Sequence, residues 1–321
     1  MPEETPIVPP KTFRQVSDDF LALHVKNKER PLRSAYEIER QFKTHLWPRW
    51  ERRVFVSIGR EDIADMLDEV ERDSGASMAD HLLATLSKMM AWYALRVSNY
   101  NSPIVRGMRR TKPSERAGKR ILSDDELRLV WSAADDAGVF GAIIKTCLLS
   151  AQRREKVRTM RWEDVDTETG RWTIPSEARE KANAGEITLP PLAVAVLKSC
   201  KEVKGNPYVF AVSKDKAFNG FSKEKVALDA AIAKANGGKA LEPWVIHDLR
   251  RTAKSLMSRA GVRPDISERV LGHVIPGVEG VYDRHPYEAE KAEALQKLAG
   301  LVSLILTPPK GNVVTMERGA A

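Results

Sequence analysis

Cysteine is nearly absent from this chain: it has two, Cys147 and Cys200, in 321 residues. A pair set that far apart offers neither a disulfide framework nor a zinc-ligand spacing. Each lies in or beside an apolar helical stretch (IIKTCLLSA and LAVAVLKSC), so both are expected to be buried, inert thiols in a reducing compartment. Long hydrophobic runs are missing too. Nothing approaches the roughly 18 apolar residues that would span a bilayer, and MPEETPIVPPK at the start has no apolar signal core. These absences argue against a membrane or secreted protein and for a cytoplasmic one. Acid is outnumbered by base, 44 Asp and Glu against 52 Lys and Arg, a formal charge of +8. A basic surface favours a polyanion, because neutralising phosphates releases condensed counterions. The same excess also suits an ordinary basic protein.

The chain is long enough for two domains and for a core that needs no staples. After a Pro-rich, acidic stretch of 11 residues, expected to be disordered, four helical segments follow. Thr12 can cap TFRQVSDDFLALHVKN, with Phe13, Val16, Phe20, Leu21 and Leu23 as its apolar stripe. RSAYEIERQFKTHLW is closed by Pro48, EDIADMLDEVERDS is stopped at Gly75, and SMADHLLATLSKMMAWYALRV ends near Asn99. They predict a small helical bundle. A basic run then carries Arg106, Arg109, Arg110, Lys112, Arg116, Lys119 and Arg120, with Gly107, Pro113 and Gly118 discouraging regular structure. It reads equally as a solvated linker or as a strap along a phosphate backbone.

Ser123-Asp-Asp-Glu126 is a capping-box pattern that opens a second domain. RWTIP and EITLP, two short β-branched runs around a polar loop, predict a small hairpin. The other segments read as helices, through AEKAEALQKLAGLVSLIL, which Pro308 and Pro309 stop.

Five segments of this second half carry chemistry in a fixed order: Arg153 in SAQRREKV, Lys181 in the hairpin loop, His247-Asp-Leu-Arg250 at a helix start, Leu271-Gly-His273, and Tyr282 nine residues later. Metal-free phosphoryl transfer on DNA needs cations for the charged non-bridging oxygens, an in-line nucleophile, and a proton for the departing deoxyribose oxygen. Arg153 and Arg250 can clamp the phosphate with planar donor forks. His247 shares a helical face with Arg250, and His273 can donate to a phosphate oxygen. Lys181 can act as general acid and Tyr282 as nucleophile. Singly, each has a commoner explanation: a helix cap, a Gly-His helix end, a solvated lysine, a packed tyrosine. Arg153 has no ready structural use beyond an ion pair such as one with Asp164. The conjunction in order is what is improbable by chance.

The same residues resemble the tyrosine recombinase family, phage integrases in particular. Ser150-Ala-Gln-Arg153 followed by Met160-Arg-Trp-Glu-Asp164 matches its first arginine segment. The hairpin Lys181, the H-x-L-R box at His247 to Arg250 continuing into Arg251-Thr252, the L-G-H box and Tyr282 trailed by His285 match the rest. The resemblance covers roughly residues 12 to 306. Two positions depart: Ala151 replaces a common glycine, a change expected to matter little, and Lys156 stands where an acid usually supports the site, with the adjacent Glu155 pointing elsewhere.

The resemblance implies a mainly α fold with a small β-sheet: a helical core-binding domain over 12–103, a basic linker over 104–121, an α+β catalytic domain over 122–306, and disordered ends at 1–11 and 307–321. It implies a site-specific recombinase acting on double-stranded DNA through a 3′-phosphotyrosyl link, without metal or other cofactor. It implies a homotetramer on synapsed sites, with DNA-bending accessory proteins as further partners. Many phage and island integrases also carry an arm-binding domain; with only about 11 residues before the first helix, either the protein lacks it or the sequence is a piece of a longer chain. Two alternatives stay open on the sequence: a DNA-binding architectural or regulatory protein with impaired chemistry, and a DNA-relaxing type IB topoisomerase.

Overall fold

The computed structural model describes residues 10–112, 118–177, 183–274, 283 and 285–308. Within these, contacts divide the chain into two compact units, with the boundary between residues 117 and 118. The expected disorder at the chain ends falls almost wholly outside the described residues.

The first unit is helical. Helix α1 (Phe13–Phe20) starts as its sequence predicts. Thr12 Oγ1 accepts from the Gln15 amide at 3.3 Å, and Gln15 Oε1 accepts from the Thr12 amide at 2.9 Å. One π turn, Leu21–Val25, extends α1, and a second, Phe42–Leu46, joins α2 (Ala35–Gln41) to the short α3 (Trp47–Trp50). These wide turns change two expectations. The inserted residue rotates Leu23 out to 60% exposure and brings Val25 into the core in its place. Pro48 does not close a helix but sits in the first positions of α3, where a missing amide donor costs nothing.

Helices α4 (Arg60–Ser74) and α5 (Ala76–Ala94) pack on one another. Gly75 between them has φ +85°, a conformation that ends α4 without Cβ strain. Phe13, Phe20, Phe42, Trp50 and Phe55 meet in mostly tilted and edge-on pairs at the centre. Buried Asp80 on α5 accepts from the Arg110 amide at 2.7 Å and from the Thr111 hydroxyl at 2.6 Å. Ile104 and Met108 pack against the same core, so the early part of the basic run lies on this unit.

The second unit is built around α7 (Gly138–Ser150), buried along most of its length. It packs against α6 (Asp124–Asp135), α9 (Pro191–Lys198), α11 (Ile246–Arg259) and the long last helix α13 (Glu288–Leu306). The Ser123–Glu126 capping box opens α6, with Glu126 Oε2 accepting from the Ser123 amide at 2.8 Å. A short α8 (Arg154–Arg158) precedes the hairpin. Strands β1 (Arg171–Thr173) and β2 (Glu186–Thr188) pair antiparallel, Trp172 opposite Ile187, with the indole fully buried. Helices α10 (Phe221–Ala235) and α12 (Pro264–Leu271) complete the unit.

Burial pushes the Cys147 thiol up to about 12 and the half-buried Cys200 up to about 11, so neither is a thiolate near neutral pH. No helix among the described residues is long and apolar enough to cross a membrane.

Candidate active site

Helix α7 ends in a left-handed turn at Ala151, φ +55°. This is the conformation glycine adopts most readily, so the alanine occupies it at a steric cost. The turn reverses the chain and sets Arg153 in extended backbone as the residue that caps α8. Arg153 is half-buried and, among the described residues, has no carboxylate partner; the alternative of a pair with Asp164 is not seen. It lines a cavity of about 490 Å³ with Arg154, Lys225, Trp244 and His247.

His247 lies in the first turn of α11 and Arg250 at the start of the second. Asp248 fixes the start of this helix: its Oδ2 accepts from the Val245 amide at 2.8 Å while its other oxygen pairs with Arg251. Thr252, fully buried one turn on, accepts from the Leu122 amide at 3.0 Å and tethers the entry to the unit. His247 is exposed. Its pKa is lowered from the usual histidine value, first by partial desolvation and then by Arg251, Arg250 and Arg153, with Asp248 opposing. It is therefore neutral near pH 7.

Arg250 is 4% exposed. Its guanidinium donates to the Ala151 carbonyl at 2.7 Å and to the Leu271 carbonyl at 2.5 Å, and it meets His273 Nε2 at 2.9 Å. Burial, and next the positive charge of Arg153, bring its pKa down to about 10, still charged at neutral pH. An arginine can only donate, so His273 Nε2 accepts and Nδ1 carries the proton, which faces Glu268. Glu268 also pairs with Lys254; burial raises its pKa, but Lys254 and His273 outweigh that and hold it below the usual carboxylate range.

Gly272 makes this turn possible. It has φ +61°, and a Cβ there would lie 2.3 Å from the Ala184 amide nitrogen and 2.4 Å from the Asn183 carbonyl carbon. The turn carrying His273 is thus pressed against the returning limb of the hairpin.

The structure brings Arg153, His247, Arg250 and His273 into one neighbourhood. Lys181, Tyr282 and Arg116 lie outside the described residues. Asp283, next to Tyr282, is described: its carboxylate accepts from Arg269 at 2.5 Å and from the Tyr287 hydroxyl at 2.8 Å. Of the basic run, Arg106, Arg109, Lys112 and Lys119 are exposed. Arg110 pairs with Asp68 and Glu71, its side chain 25% exposed, and Arg120 pairs with Glu126 and Glu242, its side chain 15% exposed.

Several residues escaped the sequence reading. Gln152, 3% exposed, donates to the Val270 carbonyl at 2.6 Å, so Gln152 and Arg250 grip adjacent carbonyls of α12. Glu268 could have been found as an acid in the last turns of the predicted helix that ends just before His273. Lys156, at the usual acidic position, is buried and donates to the Pro175 carbonyl at 2.7 Å, with Glu177 at 3.3 Å. Glu155 turns away to Arg158, as expected.

The pattern that defines the phage integrase family matches residues 120–288, more than half of the chain. This protein belongs to the phage integrase family. It is a tyrosine recombinase by descent. The prophage integrase IntZ of Escherichia coli (strain K12) is 24% identical over 319 residues, covering 95% of this chain and 74% of that protein. Among solved structures, a lambda integrase tetramer bound to a Holliday junction has a TM-score of 0.63 at 16% identity, covering 82% of this chain and 77% of that one. The Tn1549 transposon integrase in complex with transposon right end DNA also has a TM-score of 0.63, at 12% identity, covering 83% of this chain and 92% of that one. At such identities these likenesses speak for the fold, the mainly α architecture with a small sheet.

Proposed function

We propose that this integrase-family chain is an active site-specific recombinase that cuts and rejoins duplex DNA through a 3′-phosphotyrosyl intermediate. Arg153 and Arg250 hold the non-bridging oxygens of the scissile phosphate, and His247 and His273 donate to them. Tyr282 gives up its phenolic proton to solvent as it attacks the phosphorus, the bond to O5′ breaks, and Lys181 supplies the proton that O5′ takes up. A 5′-hydroxyl from a partner strand then attacks the phosphotyrosyl link, reseals the backbone and returns the phenol. Exchange of two duplexes requires four such sites, so the proposed assembly is a homotetramer on two synapsed DNA sites; lambda integrase has been solved as a tetramer bound to a Holliday junction. Arg106, Arg109, Lys112, Arg116 and Lys119 are proposed to contact the backbone electrostatically.

The observation that carries this reading is the placement of Arg250. A buried guanidinium beside a second arginine and a histidine, at a cost visible in its lowered pKa, is what a pentacovalent phosphate needs and what stability alone would avoid. Glu268 behind His273 gives the histidine a counter-charge for the moment when its Nε2 must donate rather than accept.

The test selects the DNA site and detects the chemistry together. A randomised library of duplexes, nicked so that the fragment released by cleavage diffuses away, is offered to the purified protein, and covalent adducts are sequenced. The expected outcome is a converging sequence held on a tyrosine adduct, with Tyr282→Phe binding the selected duplex but forming none. Adducts persisting in Tyr282→Phe would remove that residue from the role.

A further inference from the structure

Lys291 on α13 is 5% exposed, and among the described residues it has no carboxylate at ion-pair distance. Its ammonium instead donates to two main-chain carbonyls, Ala184 at 2.9 Å and Glu186 at 2.7 Å. Burying an ammonium against neutral carbonyls is unfavourable for a core, where an apolar side chain of similar volume would serve better. Desolvation accordingly pulls its pKa below the usual lysine value, with Glu288 and Glu186 opposing.

What Lys291 holds explains the cost. Ala184 and Glu186 form the returning limb of the β1–β2 hairpin, whose loop carries Lys181. The outgoing limb is held the same way, by Lys156 on the Pro175 carbonyl and Glu177. Lys156 stands three residues after Arg153, and Lys291 stands nine residues after Tyr282. Asn183 and Ala184 also press on Gly272, next to His273. The two limbs are therefore tied, by separate lysines, to α8, which Arg153 caps, and to α13, which follows Tyr282 in the sequence.

We propose that Lys291 is a positioning residue, which holds the returning limb of the hairpin so that the Lys181 loop is delivered to the scissile phosphate. This rests on the general-acid role of Lys181 proposed above. Lys291 touches no reacting atom and acts through the hairpin main chain.

The experiment replaces the leaving atom. On the duplex selected by covalent trapping, cleavage forms the Tyr282–phosphorus bond, breaks phosphorus–O5′, and requires a proton at O5′. With sulfur in place of O5′, phosphorus–S5′ breaks and the thiolate leaves unprotonated, since a thiol ionises near pKa ~8.5. Single-turnover rates are measured on both duplexes for wild type, Lys181→Ala and Lys291→Met, with melting curves alongside. The expected result for Lys291→Met is a loss of roughly 10- to 100-fold on the oxygen duplex and a near wild-type rate on the sulfur duplex. Equal slowing on both duplexes, or no slowing on either, overturns the proposal, provided Lys181→Ala is rescued by sulfur. If Lys181→Ala is not rescued, the general-acid role fails first and this inference with it. Should Lys291→Met lose its melting transition, Lys291→Gln, a milder loss of the donor set, is read on the same two duplexes against the same criteria.

Discussion

Ala151 holds a left-handed backbone conformation at the turn that aims Arg153, and its own carbonyl receives Arg250. An L-residue there costs roughly 1 kcal/mol relative to glycine, partly offset by the greater freedom glycine has when unfolded. Ala151→Gly is expected to raise stability by about 0.5 kcal/mol, read as a rise in the denaturant midpoint; a fall would mean that the buried methyl matters more than the strain. At His247 the prediction concerns protons. Its folded pKa is depressed, so the unfolded chain takes up the proton first. Its stabilising contribution is full above the ordinary histidine value of about 6.5 and is lost as pH falls through the depressed folded value. A bound phosphate works against the same depression by adding negative charge beside the ring. DNA binding should therefore take up protons at pH below the ordinary histidine value. Calorimetry in two buffers of different ionisation enthalpy reads that uptake, and His247→Gln should reduce it.

Among elements, the α12 turn concentrates the constraint. Gly272 is needed twice, for its backbone angle and for the closeness of Asn183 and Ala184. Gly272→Ala should lower stability by about 2 kcal/mol or more, since neither backbone can give way cheaply. It should also slow cleavage, because the same displacement moves His273; a variant with unchanged melting would show that the hairpin can retreat. The local signals of such elements were legible. Capping boxes at Thr12 and Ser123, the stop at Gly75 and the β-branched hairpin arms all follow from neighbours within four residues. The two π turns were not, because they arise from how α1 and α2 seat their aromatics in the core; hence Leu23 and Pro48 were misplaced. Of the site, the order of Arg153, His247, Arg250 and His273 was readable. Gln152, Lys291 and what Lys156 holds were not, because their partners are main-chain carbonyls on other segments, which leave no trace in side-chain spacing.

At the scale of the whole molecule, the charge of +8 is unevenly available. Arg110 and Arg120 are matched by the protein's own carboxylates, whereas Arg106 and Arg109 are exposed. Removing Arg106 and Arg109 together should flatten the plot of log affinity against log salt by roughly one unit per lost phosphate contact. Arg110→Ala should instead lower the melting temperature of the first unit, with little change in slope. A flattened slope for Arg110→Ala would show that its pairs with Asp68 and Glu71 open when DNA is present.

Lys156 and Lys291 hold the hairpin by carbonyl oxygens at Pro175, Ala184 and Glu186, a feature that every amino acid brings to those positions. Anchorage of that kind is indifferent to spelling. The five residues from 178 to 182 can therefore diverge, or be exchanged for the corresponding loop of another integrase, without loosening the moorings on either side. That makes residues 178–182 a natural place for graftable cassettes, with Lys181, the proposed general acid, the one letter to be kept.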